Sequence, residues 1–161
     1  MILSKMNHFI NLKDIKTKDL RKIILDAKKR KNLRKTLNTL EVDKGSPLKG
    51  KILVQMFEKP SLRTRLSFYL AIKQLGGGTI TLRSNELHLG QGGESIEDTA
   101  KILSTYGDGF MLRTDDDEKI ENFKKYLDNF FMLFKKLFFE TISITVLPTV
   151  IAKGFPPNVE P

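Results

Sequence analysis

A chain of 161 residues, 40% apolar and 29% charged, is long enough for one domain with a real core and short for two. It has no cysteine, which excludes disulfides, thiolate catalysis and cysteine-based zinc sites and fits the reducing cytoplasm where we expect it. The net charge of +9 invites a nucleic-acid reading, yet residues 1–51 hold 15 Lys and Arg against 5 Asp and Glu while the remainder balances at 13 against 14, so the excess is local.

At the N-terminus, MILSKMNHFI lacks the long apolar stretch of a signal peptide. Thr17 is placed to cap a helix in which Leu20, Ile23, Ile24 and Ala27 recur at helical spacing, ending near Leu33 with one apolar stripe towards a core. The densest basic run, Lys28 to Lys31 with Arg34 and Lys35, falls at the end of that helix, where cations complement the helix dipole and face water. No aromatic side chains interleave with it to stack on bases, so no nucleic-acid partner is expected. A loop at Lys44 to Pro47 leads to a predicted strand, Lys51 to Phe57, and after Pro60 to a helix that starts at Ser61 and stops at Gly76-Gly77-Gly78. Thr79 to Leu82 reads as a second strand, followed by a Gly-rich loop from Arg83 to Gly93. Ser95, with Asp98 three residues on, reads as the cap of a helix running to Gly107. Gly109 to Arg113 is a third strand, and Glu118 to Leu127 a helix behind three aspartates that suit its N-terminus. Short strands alternating with helices predict an α/β fold, a parallel sheet flanked by helices in a single domain. After Asn129 the pattern changes: Phe130 to Ala152 is the most apolar region, but Lys135, Lys136 and Glu140 break it, so no membrane span is expected.

The stretch FEKPSLRTRLSF, Phe57 to Phe68, lies where the first predicted strand meets its helix. In open parallel sheets, ligands bind beyond the carboxyl ends of the strands, facing helix N-termini. There the unpaired N–H groups of a first turn, the hydroxyls of Ser61 and Thr64 and the guanidinium groups of Arg63 and Arg65 supply what a phosphate group needs. A nucleotide P-loop is excluded, since no glycine lies between Glu58 and Gly76. The alternative is that these arginines form solvated salt bridges with Glu58 or Glu86, and residue types alone leave both readings open. Arg113, closing the third strand, places a second cation at the same edge; a strand can also simply end on a solvated arginine.

The same stretch resembles the carbamoyl phosphate motif of the aspartate and ornithine carbamoyltransferases, and the likeness continues through AIKQLGG, HLG and ESIEDTAKILSTYGDGFMLRT, over about residues 7 to 127. The opening HFINLKDIKTKDLRKII is similar to that family's first helix. The ornithine branch fits better than the aspartate branch, because the third strand ends in Arg113-Thr114 rather than Arg-His-Pro and the loop Gly90 to Gly93 lacks lysines. The resemblance implies a carbamoyl phosphate-binding domain at residues 1–129, with Ser61, Leu62, Arg63, Thr64, His88 and Arg113 binding carbamoyl phosphate. Arg63 and Arg113 would be the catalytic cations and Arg65 a support for the loop. His88 would reach into a neighbouring subunit's site in a homotrimer. The implied reaction joins carbamoyl phosphate to L-ornithine, giving citrulline and phosphate in arginine biosynthesis, with no metal or organic cofactor.

Two departures are visible: Leu62 stands where the motif has Thr or Gly, and LGQGGES is one residue longer than the usual loop. The family's H-P-x-Q, D-x-x-x-S-M-G and H-C-L-P segments are missing, since the only histidines are His8 and His88. The expectation is therefore an N-terminal fragment, inactive alone, with residues 130–161 an apolar tail foreign to the family and the ornithine-binding domain absent. Aspartate carbamoyltransferase is the alternative within the family, and a non-enzymatic basic nucleic-acid module the alternative outside it.

Overall fold

The computed structural model of the chain describes residues 8–11, 13, 15–83, 93–127 and 130–133. In chain order these form β1 (His8–Phe9), α1 (Thr17–Leu33) with a 3-10 turn at Arg34–Thr36, β2 (Ile52–Phe57), α2 (Leu62–Gln74), β3 (Gly78–Arg83), α3 (Ile96–Tyr106), β4 (Gly109–Arg113), α4 (Asp117–Tyr126) and β5 (Phe130–Leu133). The five strands make one sheet in the order β1-β5-β4-β2-β3, parallel throughout. The predicted α/β fold is present. The chain steps from β2 to β3 in one direction, then returns across β2 to β4 and β5. Because such crossovers are right-handed, that reversal puts α2 on one face of the sheet and α3 and α4 on the other.

Strand alternation sorts the core accordingly. Val54, Met56, Phe110 and Leu112 face α3 and α4, packing with Ala100, Leu103, Ile120, Phe123 and Leu127. Leu53, Phe57 and Met111 face α2 and meet Phe68 and Ile72. Phe110 and Phe123, both buried, stack with ring centroids 5.2 Å apart. Each such buried side chain stabilises the domain by about 1.5–3 kcal/mol.

Caps and turns fix the element ends. The Ser95 hydroxyl accepts from Asp98 N at 3.0 Å and donates to its carboxylate at 2.7 Å, as its spacing predicts. Asp116 caps α4 by accepting from Lys119 N at 3.0 Å. Helix α2 ends where Gly76 adopts φ +87°, a left-handed conformation that lets Gly77 N bond back to Ile72 O at 2.9 Å.

Three expectations need correction. Thr17 does not cap α1: Lys16 is the cap residue, it makes no side-chain bond, and Thr17 is the first helical residue. The apolar stripe of α1, Leu20, Ile23, Ile24 and Ala27, is half-buried and none of it joins the two core clusters of the described residues. The opening segment is not all helical, because His8–Phe9 pairs in parallel with β5 at the sheet edge. The segment between α1 and β2 is instead held by Arg34, which is 6% exposed. Its guanidinium bonds the Asp43 carboxylate and the carbonyls of Asn38, Thr39 and Glu41, while Asp43 N reaches Gln74 O on α2.

Candidate anion-binding site

The sheet's switch point lies between β2 and β4, whose last residues, Phe57 and Arg113, are register partners. Chain leaving β2 turns towards one face and chain leaving β4 towards the other, so a crevice opens between the two exits. Lys59 and Pro60, leading to Ser61 and the first turn of α2, lie on one side, and Arg113, Thr114 and Asp115 on the other.

Ser61 is the cap residue of α2, yet its hydroxyl does not cap the helix. It donates to Thr64 Oγ1 at 2.8 Å and accepts from Arg113 Nη1, which also donates to Thr64 Oγ1 at 2.7 Å. Three residues predicted from two sequence segments therefore converge on one spot. The first bond of the α2 ladder runs from Arg65 N to Ser61 O at 3.1 Å, which leaves the N–H groups of Leu62, Arg63 and Thr64 ahead of the ladder and unclaimed by a cap. Hydroxyls, N–H groups, a helix dipole and a guanidinium thus meet at one helix end, a donor set suited to a tetrahedral oxyanion.

The remaining predicted residues are placed as follows. Arg63 is exposed and Arg65 half-buried, and no acid pairs with either among the described residues. The salt-bridge alternative through Glu58 is thereby removed, because the Glu58 carboxylate is held by Lys119 and Thr114. Leu62 is the first residue of α2 and 63% exposed, so its apolar side chain stands at the rim of the crevice while its N–H belongs to the donor set. His88 and Glu86 lie outside the described residues. A cavity of about 150 Å³ lined by Lys59, Pro60, Arg113, Thr114 and Asp115 adjoins the cradle. The larger hollow, about 880 Å³, is at the opposite end of the strands, walled by Leu53, Phe68, Ile72, Leu75 and Tyr106, and holds none of the predicted site residues. No group of three or more His, Cys, Asp or Glu among the described residues is placed to hold a metal ion, and no described helix is long and apolar enough to cross a membrane.

Sequence reasoning missed two features: the direct bonds from Arg113 to both hydroxyls, and the cluster formed by Glu58, Thr114 and Lys119. The bonds that make each of them join positions 49 to 61 residues apart. No local pattern could have shown them.

An open parallel sheet flanked by helices, with oxyanion donors gathered at its switch point, defines the class of the chain as an open α/β domain. The particular kind follows from its relatives: the chain belongs to the aspartate/ornithine carbamoyltransferase family, whose carbamoyl-P binding domain matches residues 7–132. It is 45% identical over 121 residues to the ornithine carbamoyltransferase of Brucella ovis, covering 75% of this chain and 37% of that protein. It is 47% identical over 113 residues to that of Rhizobium meliloti, covering 70% and 35%. Among solved structures, the ornithine carbamoyltransferase of Pyrococcus furiosus superposes with a TM-score of 0.70 at 34% identity, over 79% of this chain and 39% of that one. The catalytic subunit of M. jannaschii aspartate transcarbamoylase gives 0.67 at 34%, over 80% and 40%. The chain thus spans a little over a third of the length of the curated relatives it matches.

Proposed function

We propose that this chain binds carbamoyl phosphate at the cradle, and that in a protein as long as its relatives it is the carbamoyl phosphate half of a cytoplasmic ornithine carbamoyltransferase of arginine biosynthesis. The observation that carries this reading is the meeting of Ser61, Thr64 and Arg113 above the unclaimed N–H groups of residues 62–64. The phosphate would take the N–H groups, the two hydroxyls and Arg63, whose exposed guanidinium has no competing acid among the described residues. Arg113 would then lie towards the carbamoyl oxygen. As the ornithine amine attacks the carbonyl carbon, that oxygen gains charge, and a nearby guanidinium stabilises it. The new C–N bond forms, the C–O bond to phosphate breaks, the amine loses a proton, and phosphate leaves with the bonding pair. Positioning supplies the rest of the rate. The choice of ornithine over aspartate is supported by the names of the sequence relatives and by the Arg113-Thr114 end of β4.

Titration calorimetry on the 161-residue chain tests this. Carbamoyl phosphate and inorganic phosphate are expected to compete for one site, with affinity falling about tenfold or more in Arg63→Ala, the loss of one charge-assisted contact. These 161 residues alone are expected to form no citrulline from carbamoyl phosphate and ornithine. Absence of phosphate binding, or binding indifferent to Arg63→Ala, would remove the site. Affinity for nucleic acid that falls steeply with salt and survives Arg63→Ala would favour the basic-module alternative instead.

A further inference from the structure

Glu58 is the first residue after β2, and its carboxylate accepts from the Thr114 hydroxyl and from the Lys119 ammonium. Its own N–H donates to Arg113 O at 3.2 Å, and Thr114 Oγ1 also accepts from Asp116 N at 3.1 Å. Arg113 is therefore gripped on its main chain by the same residue that holds its neighbour's side chain. Glu58 and Lys119 are only 17% and 23% exposed. Neither bonds to Ser61, Thr64 or the Arg113 guanidinium, so the cluster stands behind the cradle rather than in it.

Two features call for a reason beyond fold stability. Lys119 is in the first turn of α4, where the helix dipole disfavours a cation and where Asp117 and Glu118 are the suited residues. Glu58 is a carboxylate three residues before Ser61, where its charge opposes an incoming anion. Each explains the other. We infer that Glu58 is a positioning residue that ties the exit of β2 to the exit of β4, so that the Arg113 guanidinium stays on Ser61 and Thr64, and that Lys119 cancels the charge this tie would otherwise set against the bound anion. The inference rests on the anion-binding reading above.

The two roles predict opposite signs at the two ends of one ion pair, measured as affinity of the full chain for inorganic phosphate. Lys119→Met leaves the carboxylate uncompensated and is expected to weaken binding roughly tenfold, the scale of one uncompensated charge near a bound anion at an effective dielectric of about 20. Glu58→Gln keeps an acceptor for Thr114 while removing the opposing charge, so binding is unchanged or tighter. The double variant Glu58→Gln/Lys119→Met returns to wild-type affinity, and Lys119→Arg retains it. Glu58→Ala breaks the tie and displaces Arg113, seen as a shift of the Arg113 Nε–Hε resonance by NMR. A merely structural pair would weaken binding in Glu58→Gln and Lys119→Met alike, with no recovery in the double variant, and that pattern would overturn the inference. If the wild-type chain bound no phosphate, the anion reading would fall with Lys119's part in it. The Arg113 resonance would still decide the positioning role, an unmoved signal in Glu58→Ala refuting it.

Discussion

Replacing Gln55 with methionine is expected to make this domain more stable. Gln55 is at the middle of β2, 0% exposed, on the face it shares with Leu53 and Phe57 beneath α2. Neither its Nε2 nor its Oε1 has a hydrogen-bond partner among the described residues. A buried polar group without a partner costs about 1–3 kcal/mol, and here a donor and an acceptor both lack one. Methionine has nearly the same length and volume and fills such a site with little strain, a swap that by itself costs under about 1.5 kcal/mol. The net expectation is a gain of about 2 kcal/mol, or roughly 5 °C in Tm for a chain of this size. Urea unfolding followed by circular dichroism measures it as a higher midpoint with an unchanged m-value. Phosphate affinity should not change, because Gln55 makes no bond to the cradle. An unchanged or lower midpoint would show that the amide is satisfied, for instance by a trapped water, and would refute the reasoning.

Three further outcomes test the scaffold. Phe123→Ala empties the position that stacks on Phe110 and is expected to cost about 3–5 kcal/mol by the same urea assay. Arg34→Ala leaves the 12%-exposed Asp43 carboxylate with only Arg30 among the described side chains, at 3.2 Å, and takes from Glu41 O its guanidinium donor, while Asn38 O keeps Glu41 N and Thr39 O keeps Gln74 Nε2. About 3 kcal/mol should be lost, and Arg34→Lys should recover only part of it, since an ammonium cannot span the same fork of acceptors. Burial and then Lys124 hold the His8 imidazole below its ordinary range. The folded state therefore binds fewer protons there than the unfolded state, so stability present at neutral pH is lost as the pH falls below the ordinary imidazole range. Thermal melts across that range should show the loss in the parent chain and not in His8→Gln.

How much of this could be read from the sequence depended on the range of the interactions. Ser95 with Asp98, the apolar spacing of Ile120, Phe123 and Leu127, and the glycines after Gln74 act within one or two turns, so α3, α4 and the end of α2 were legible. The same held for β2 and β4, whose apolar runs are bounded by turn residues. The two-residue β1 has no period to detect, and its pairing with β5 joins residues more than a hundred positions apart. For α1, a helical period showed that an apolar stripe exists but not whether anything in the described chain covers it. In the cradle the residue types were legible and the partnerships were not: FEKPSLRTR announces anion donors, but only the fold reveals that Glu58 turns away to Lys119 and Thr114 and leaves Arg63 to solvent.

The same distinction decides how the basic excess should be weighed. Net charge counts Arg30 and Arg34 with the lysines around them, yet Arg30 is engaged by Asp26 and Asp43, and Arg34 is buried against Asp43 and three carbonyls. These two cations serve the connection between α1 and α2 and are not available to a polyanion. At the sheet's carboxyl edge Lys59 is paired with Asp115 and Lys119 with Glu58, while Arg63 has no such acid among the described residues. A paired surface cation adds little attraction at a distance, whereas an unpaired one beside N–H groups and hydroxyls adds both charge and geometry. A small dianion that fits the turn can use Ser61, Thr64 and Arg63 together; an extended backbone of phosphates would need a row of such groups. The short local cluster at the switch point therefore says more about the ligand than the larger charge on α1 does.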